Sequence, residues 1–180
     1  MKSVISLLDY KEFPELNLKG ICIHDTGNSS VGTDAVWHSV YLKTSHAKDR
    51  GVSWHFSVDD IQSVQHLSIK QAGTHAGSVA NSTTIGIEIC VNSDSDIEQA
   101  HINGALLTAK LLYITGLPIS SVAQHFDYTG KNCPELMRSG IPFTWEKFID
   151  QVQAYLSAEN IINGVREVTP FLENSRSEIV

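Results

Sequence analysis

Apolar and polar residues alternate in several short segments of the chain, as expected for strands with one buried face. In residues 85–92, IGIEICVN, the apolar positions are Ile85, Ile87 and Ile89, so Glu88 faces away from them. Similar patterns, rich in β-branched or aromatic residues, predict further strands. These cover residues 20–27, 52–59, 61–69 and 121–126, of which 52–59 and 61–69 are close enough to form a hairpin.

Apolar residues at spacings of three and four predict helices elsewhere in the chain. Thr33 or Asp34 caps the first helix, and Asp96 with Gln99 resembles a capping box at the start of the second. The second helix ends at the glycine and proline of GLP, which are helix stop signals. The predicted helices run from the first cap to about residue 43, from 97 to about 115, and from 144 to 156.

This mixture of strands and helices favours the α/β class, with a mixed central β-sheet flanked by helices. A chain of 180 residues suits one domain with a sizeable core. We place this domain in residues 1–157, because clear periodicity ends near Ser157. Residues 158–180 form a tail, a linker or an extra helix, and the pattern leaves these alternatives open.

The charge of the chain argues against several partners. It has 13 basic and 20 acidic residues, a formal net charge of −7 and no basic stripe, so we expect neither nucleic acid nor an anionic membrane as a partner. No stretch is long and apolar enough to span a bilayer. The first ten residues, MKSVISLLDY, have too short an apolar run for a signal peptide, so we expect synthesis and folding in the cytoplasm.

Candidate metal ligands lie near the ends of two predicted strands. His24 lies near the end of one strand, His125 ends another, and Cys133 follows after a short loop. Two imidazoles and a thiolate leave the fourth position of a tetrahedral zinc ion open for water, as a catalytic site requires. The spacing matches no zinc-finger pattern, so by itself it favours a chance combination. The other cysteines, Cys22 and Cys90, are expected to be buried free thiols, because an odd cysteine count does not suggest a disulfide framework.

Glu88 is the second candidate for a residue that takes part in a reaction. A carboxylate on the inner face of a strand costs free energy unless it has partners. A water held by a metal ion beside it would explain its presence. A structural glutamate at a sheet edge, paired with a lysine, explains it equally well.

Five segments occur in the order and spacing of one known family. They are ICIHDTGN, SWHFSVDD, QHLSIKQAGTHAG, NSTTIGIEIC and QHFDYTGKNCP. Together they resemble the zinc-dependent N-acetylmuramoyl-L-alanine amidases of the type 2 class, in the branch of endolysins and autolysins from Bacillus-like bacteria and their phages. The resemblance covers roughly residues 15 to 156. It implies a mixed sheet flanked by helices and hydrolysis of the amide that joins N-acetylmuramic acid to L-alanine in peptidoglycan.

The resemblance also implies a role for each residue that matches a family motif. His24, His125 and Cys133 match the three ligands of one zinc ion. Glu88 matches the catalytic glutamate of the IGIE motif. Lys131 matches the lysine that stabilises the oxyanion.

Substrate-binding residues are implied less directly. His75 lies in GTHAG, where the family usually has GWHAG near the substrate cleft, so Thr74 replaces a tryptophan of the cleft wall. Trp54 stands where some relatives have an active-site tyrosine, which gives it at most a binding role. Asn81 and Thr83 line the cleft or, equally well, cap a loop.

The remaining histidines and tryptophans receive structural interpretations. We expect His38, His101 and His66 to be structural or solvated and His46 to lie in a polar loop. His55 is either a core residue or a support for the site. Trp37 and Trp145 are expected in the core.

Two other functions remain possible at this point. A peptidoglycan-recognition module would bind muropeptides without cutting them, and a zinc peptidase would cut another amide. The absence of an export signal suits a phage or prophage endolysin. Residues 158–180 are too few for a separate wall-binding domain, so the chain is either naturally short or a catalytic fragment.

Overall fold

A mixed β-sheet organises the described part of the chain, residues 1–9 and 12–157 of a computed structural model. Within those residues it has six strands in the order β1-β4-β3-β5-β2-β6, parallel throughout except for the antiparallel pair β3–β4. The strands are β1 (Lys2–Ile5), β2 (Gly20–Asp25), β3 (Phe56–Val58), β4 (Gln62–Gln65), β5 (Thr84–Ile89) and β6 (Val122–Gln124). The predicted mixed sheet is therefore confirmed, whereas the predictions for residues 158–180 lie outside the described residues.

Helices cover both faces of this sheet. They are α1 (Ala35–Tyr41), α2 (Ser45–Asp49), α3 (Gly77–Thr83), α4 (Ile97–Thr115), α5 (His125–Thr129), α6 (Glu135–Arg138) and α7 (Trp145–Leu156), with a 3-10 turn at Ile119–Ser121. The long helices α4 and α7 pack together on one face. On the other face, α1 lies over β3 and β4, while α3 and α5 lie over β5 and β2.

Two interior strands, β2 and β5, explain why one face of the sheet is apolar and the other carries the candidate reactive side chains. Ile21 and Ile23 of β2 and Ile85 and Ile87 of β5 are fully buried in the core that α4 and α7 complete. Each isoleucine side chain stabilises the fold by about 1.5–3 kcal/mol through burial. Because side chains alternate along a strand, the residues between the isoleucines face the opposite side of the sheet. The predicted orientation of Glu88 follows from this register.

The observed helix caps agree in part with those predicted from the sequence. The Asp34 carboxylate, and not Thr33, accepts a hydrogen bond from the Trp37 backbone N–H at 2.7 Å. Asp96 accepts from the Gln99 N–H at 3.0 Å, but the predicted capping box is incomplete. The Gln99 side chain donates to Asn103 instead, since the Asp96 N–H already donates to a different carboxylate.

Several predicted boundaries were wrong in detail. The predicted strands at 52–59, 61–69 and 121–126 are shorter, and 121–126 ends before His125, which begins α5. His46 lies in α2 and not in a loop. Strand β1 was not predicted, because it is a largely exposed edge strand without a clear apolar face. The short helices α2, α3, α5 and α6 span too few residues to show a helical period.

Candidate metal centre and cleft

Three neighbouring pieces of backbone carry the candidate metal ligands. Strand β2 ends just after His24, and β6 lies beside it in parallel, with Ile23 opposite Gln124. His125 follows β6 immediately, so both histidines lie at the carboxyl ends of two neighbouring parallel strands. The Phe126 N–H donates to the Cys133 carbonyl oxygen at 3.0 Å, which closes the loop and returns the cysteine to the histidines.

The side chains of these three residues converge and are all buried. His24 Nδ1 lies 3.0 Å from His125 Nδ1 and 3.8 Å from Cys133 Sγ. A tetrahedral zinc ion, with bonds of ~2.0 Å to nitrogen and ~2.3 Å to sulfur, separates its ligand atoms by roughly 3.3–3.6 Å. Each of the two observed spacings lies within about 0.3 Å of the ideal value for its pair of atoms, so this group fits a metal ion such as zinc.

The electrostatics of the group also suit a cation. Burial, followed by the nearby His75 and His125, holds the pKa of His24 well below its usual value, so its ring is neutral as a ligand must be. Burial, together with Glu88, raises the pKa of the Cys133 thiol to about 12. The thiolate is therefore unfavourable here unless a cation binds it.

Glu88 lies beside this group, opposite His24 in the pairing of β5 with β2. Its Oε1 is 3.8 Å from His24 Nδ1, and its buried Oε2 has no hydrogen-bond partner among the described residues. Burial raises the pKa of Glu88 to about 8, although the charge of Lys131 acts in the opposite direction. The structural explanation fails on two points. Strand β5 is central and not at an edge, and within the described residues no lysine nitrogen lies within 4.0 Å of the carboxylate.

His75 contacts the far side of the His24 ring. Its Nδ1 lies 3.0 Å from His24 Nε2, and its Nε2 lies 3.4 Å from the Thr84 carbonyl oxygen. Burial lowers the pKa of His75 to about 3, so its ring is neutral and can accept a hydrogen bond at Nδ1. Asn81 Oδ1 in turn accepts from the backbone N–H groups of His75 and Ala76, at 2.7 and 2.8 Å. Asn81 thus caps this loop, the second of the two alternatives, and is not part of the cleft lining.

Asp25 and His101 support the segment that carries Cys133, and the sequence did not predict this role for either residue. Asp25 Oδ2 accepts from the Leu136 N–H at 2.8 Å, and the Asp25 carbonyl oxygen lies 3.8 Å from Cys133 Sγ. His101 of α4 is fully buried, with Nε2 3.6 Å from Asp25 Oδ1. The only sequence signal is that Asp25 directly follows a candidate ligand, because its partners come from distant parts of the chain.

A cleft of about 340 Å³ opens above Glu88. Its walls include three of the residues proposed from sequence, namely Trp54, His75 and the exposed Lys131. Trp54 is 7% exposed, and its indole N–H donates to Ser57 Oγ at 2.9 Å. The whole lining consists of Asp25, Thr26, Asn28, Trp37, His38, Tyr41, His46, Arg50, Val52, Trp54, Thr74, His75, Glu88 and Lys131.

The prediction that Trp37 lies in the core was wrong. It is 40% exposed, because it lies at the mouth of the cleft, where it stacks on Tyr41 with ring centroids 5.5 Å apart. Trp145 is half-buried against the core. His38 also lines the cleft and is buried, and burial lowers its pKa to about 4.

His55 and His66 lie beneath the cleft and not in it. His55 Nδ1 accepts from the Gly86 N–H at 3.0 Å, and its Nε2 lies 2.7 Å from the Gln71 carbonyl oxygen. His66 Nε2 lies 2.9 Å from Ser57 Oγ. Both rings are fully buried, so the structural interpretation of His66 is confirmed, and His55 supports the floor of the site.

All three cysteines lie in the described residues, and all are free thiols, as expected. Cys22 packs against Ala76 and Ala80 beneath α3, while Cys90 packs against Ala35 and Val64 beneath α1. Both are fully buried. The prediction that neither takes part in a disulfide is confirmed.

Comparison with known sequences gives a consistent result. A family model described as N-acetylmuramoyl-L-alanine amidase matches residues 14–136. The chain is 36% identical over 138 residues to the amidase CwlH of Bacillus subtilis, across 74% of this chain and 52% of that protein. It is 38% identical over 131 residues to the amidase XlyA of Bacillus subtilis, across 71% and 42%. The chain thus spans about half the length of these curated relatives.

Solved structures share the fold. The catalytic domain of XlyA superposes with a TM-score of 0.77 at 31% identity and covers 84% of this chain and 99% of its own. The structure of PlyL gives a TM-score of 0.73 at 26% identity, across 84% and 97%. Because the family match includes both β2 with His24 and the loop with Cys133, this chain belongs to the type 2 N-acetylmuramoyl-L-alanine amidase family.

Proposed function

We propose that this chain is a zinc-dependent peptidoglycan hydrolase that cleaves the amide between N-acetylmuramic acid and L-alanine. The observation that carries the proposal is the position of Glu88, 3.8 Å from a buried group of two histidines and a cysteine, at the base of an open cleft. His24, His125 and Cys133 would hold the zinc ion. When bound, zinc supplies a Lewis acid that polarises a carbonyl group and makes water more acidic.

Glu88 is proposed as the proton carrier. As a carboxylate it takes a proton from the attacking water, whose oxygen forms a bond to the amide carbon. Its protonated form then gives that proton to the nitrogen as the carbon–nitrogen bond breaks, so that L-alanine leaves with a free amino group. Without a metal ion, burial raises the pKa of Glu88 to about 8. The positive charge of a bound zinc ion would lower that pKa and favour the carboxylate, the form that accepts the proton of the attacking water.

Lys131 is proposed to stabilise the negative charge that develops on the carbonyl oxygen. It is exposed, lines the same cleft, and lies two residues before Cys133, which keeps its ammonium group near the reacting amide. A fixed positive charge at that place stabilises the transition state more than the ground state. Trp54 and His75 are proposed to contact the substrate from the cleft walls, and Asn81 to support His75 through the backbone.

A non-catalytic peptidoglycan-binding module is the alternative. It would have no need for a buried, unpaired carboxylate beside a metal site, since such a group costs free energy. The presence of Glu88 together with all three candidate ligands therefore favours the enzyme.

Relatives with this fold include a structure described as a mutant endolysin from Bacillus subtilis, at 32% identity, which supports an endolysin role. Within the described residues, no helix is long and apolar enough to cross a membrane.

Mass spectrometry of digested cell wall tests the proposal. Purified peptidoglycan is incubated with the full chain and zinc, and the soluble products are analysed. We expect peptides that begin with a free L-alanine amino group and intact glycan strands whose N-acetylmuramic acid residues carry free lactyl carboxylates. Cleavage only between other residues of the stem would show a zinc peptidase, and no cleavage with retained wall binding would show a recognition module.

A further inference from the structure

His24 is shared by two groups of potential metal ligands. Among the described residues, each group places three histidine or cysteine ligand atoms within 4.8 Å of one another. The first group is the candidate triad with His125 and Cys133, and the second group consists of Cys22, His24 and His75. The first group faces His24 Nδ1, whereas His75 faces Nε2, so the two groups lie on opposite sides of one ring. The chemistry proposed above gives Cys22 no role.

The pairing of β2 with β5 brings the second group together. Cys22 and His24 are two residues apart on β2, so their side chains lie on the same face of the sheet. Gly86 of β5 lies opposite Cys22 and has no side chain. A Cβ at this glycine would lie 2.9 Å from the His75 ring, so the ring fills the space that the glycine leaves, close to the Cys22 thiol.

The donor atoms of the second group suit a thiophilic cation. His24 Nε2 lies 3.0 Å from His75 Nδ1, the same distance that separates His24 Nδ1 from His125 Nδ1 in the first group. A thiolate and two imidazole nitrogens are ligands that zinc accepts. His75 is half-buried and lines the cleft, so an ion can approach the fully buried Cys22 past this ring.

Protons and charges balance when both groups hold a divalent ion. His75 binds through the lone pair of Nδ1, while its Nε2 proton stays directed at the Thr84 carbonyl oxygen, 3.4 Å away. The second ion displaces two protons to solvent, one from the Cys22 thiol and one from His24 Nε2, so the His24 ring becomes an imidazolate that bridges the ions. Four negative groups then match two divalent ions, namely two thiolates, the His24 imidazolate and the Glu88 carboxylate. This match offsets the cost of burying the charges.

We propose that Cys22, His24 Nε2 and His75 Nδ1 bind a second thiophilic divalent cation, bridged to the first by His24, and that this ion inhibits the enzyme. The inhibition, but not the binding, rests on the proposed amidase function. An imidazolate donates more electron density than a neutral imidazole, so the first zinc ion becomes a weaker Lewis acid. The second ion also holds the His75 ring, which is proposed to contact the substrate.

The second ion should bind more weakly than the first. Its binding removes the hydrogen bond between His24 and His75 and places two cations on one ring, where they repel each other. Ala76 and Ala80, which pack on Cys22, offer no ligand atom. We therefore expect the first group to fill at one metal ion per chain and the second group to fill only when metal is in excess.

Cadmium titration of the metal-stripped full chain tests the binding. Cadmium is a thiophilic substitute for zinc, and each thiolate that binds it adds charge-transfer absorption in the ultraviolet. We expect two successive steps in the unmodified chain, one for each thiolate. Cys22→Ala keeps a small apolar side chain beneath α3, and it should lose the second step and keep the first, as should Cys22→Ser. A single step in the unmodified chain, or a second step that survives in both variants, would overturn the proposal.

Cys90→Ala is the matched control. Cys90 is also a fully buried free thiol, but it packs against Ala35 and Val64 beneath α1 and belongs to neither group of ligands. We expect this variant to keep both steps. Loss of the second step in Cys90→Ala would show that the step does not report on Cys22 and would overturn the assignment.

Cleavage of purified peptidoglycan at rising zinc concentration tests the inhibition. Beyond one zinc ion per chain, we expect the rate to fall in the unmodified chain and in Cys90→Ala but to stay constant in Cys22→Ala. An equal fall in all three, or a constant rate in all three, would contradict the inhibition. Absence of cleavage in every sample, with both cadmium steps present, would contradict the amidase function and leave the second metal site standing.

Discussion

His24 Nε2 lies 3.0 Å from His75 Nδ1, while the other ring nitrogen of His24 faces His125 and Cys133. A proton on Nε2 would be donated to His75, which leaves Nδ1 unprotonated and directed at the candidate metal position. Histidine ligands commonly donate their second nitrogen in this way, and the partner fixes both the tautomer and the ring orientation. Here the acceptor is a second histidine, kept neutral by burial.

This relationship predicts that His75→Ala weakens zinc binding although His75 is not a ligand of the first zinc ion in our account. Loss of such a partner typically reduces metal affinity by ~10- to 100-fold. Competition against a calibrated zinc chelator measures the affinity without reference to activity. The matched control is His46→Ala, which removes an exposed cleft histidine that does not touch the ligands. Unchanged zinc affinity in His75→Ala would limit His75 to the substrate-binding role inferred from sequence.

Gly86→Ala should have a similar effect for a steric reason. A Cβ on Gly86 would lie 2.9 Å from three atoms of the His75 ring, among them the Nδ1 that contacts His24, so the ring would have to shift and this contact would be disturbed. We expect lower zinc affinity in the folded variant. Gly104→Ala is the comparison, because its Cβ would meet the Ile89 side chain at 2.6 Å in the core. Overpacking there costs about 1–3 kcal/mol of unfolding free energy, which the higher helix propensity of alanine offsets by about 1 kcal/mol, and that variant should keep its zinc affinity.

Glu88→Gln should separate metal binding from catalysis. The amide keeps the size of the side chain but cannot carry the proton, so turnover should fall by ~10²- to 10⁴-fold. Zinc content, measured by elemental analysis, should stay at the level of the unmodified chain. A Gln variant with nearly normal turnover would show that Glu88 has a structural role.

Lys131→Ala should lower turnover by ~10²-fold or more, because a charge that acts mainly in the transition state affects the rate more than substrate binding. Steady-state kinetics on a defined muramoyl peptide gives the two effects separately. Lys131→Arg should rescue only part of the rate, since a guanidinium places its charge differently. Equal turnover in Lys131→Ala and the unmodified chain would make Lys131 a solvated loop residue.

The interior strands β2 and β5, and the face on which each of their side chains lies, could be predicted from the sequence because both depend on local alternation. The isoleucines of β5 fix the face on which Glu88 lies, and β2 presents His24 on the same face through its pairing with β5. The candidate ligand triad could be proposed from the sequence because its residues lie in recognisable motifs. In these cases the relevant information is within a few residues of the site.

The part of the cleft wall that α1 and α2 supply could not be predicted in the same way, because it depends on how these helices pack. The helical spacing of Trp37 suggests a buried face, and only the position of α1 at the mouth of the cleft exposes it. Arg50 joins the wall because the short helix α2 turns back toward Tyr41. The contacts of Asp25 with His101 and Leu136 link residues far apart in sequence. No local pattern contains such information.

Zinc removal and return, followed by both metal content and product release, tests the account most directly. The full chain is stripped with a chelator, reloaded with zinc, and assayed for new L-alanine amino termini on purified peptidoglycan, beside Cys133→Ser treated identically. We predict that the stripped chain is inactive and that activity returns as one zinc ion per chain is bound, whereas Cys133→Ser regains neither metal nor activity at the same zinc concentration. Full release of L-alanine termini by a chain verified to be free of metal would contradict the account.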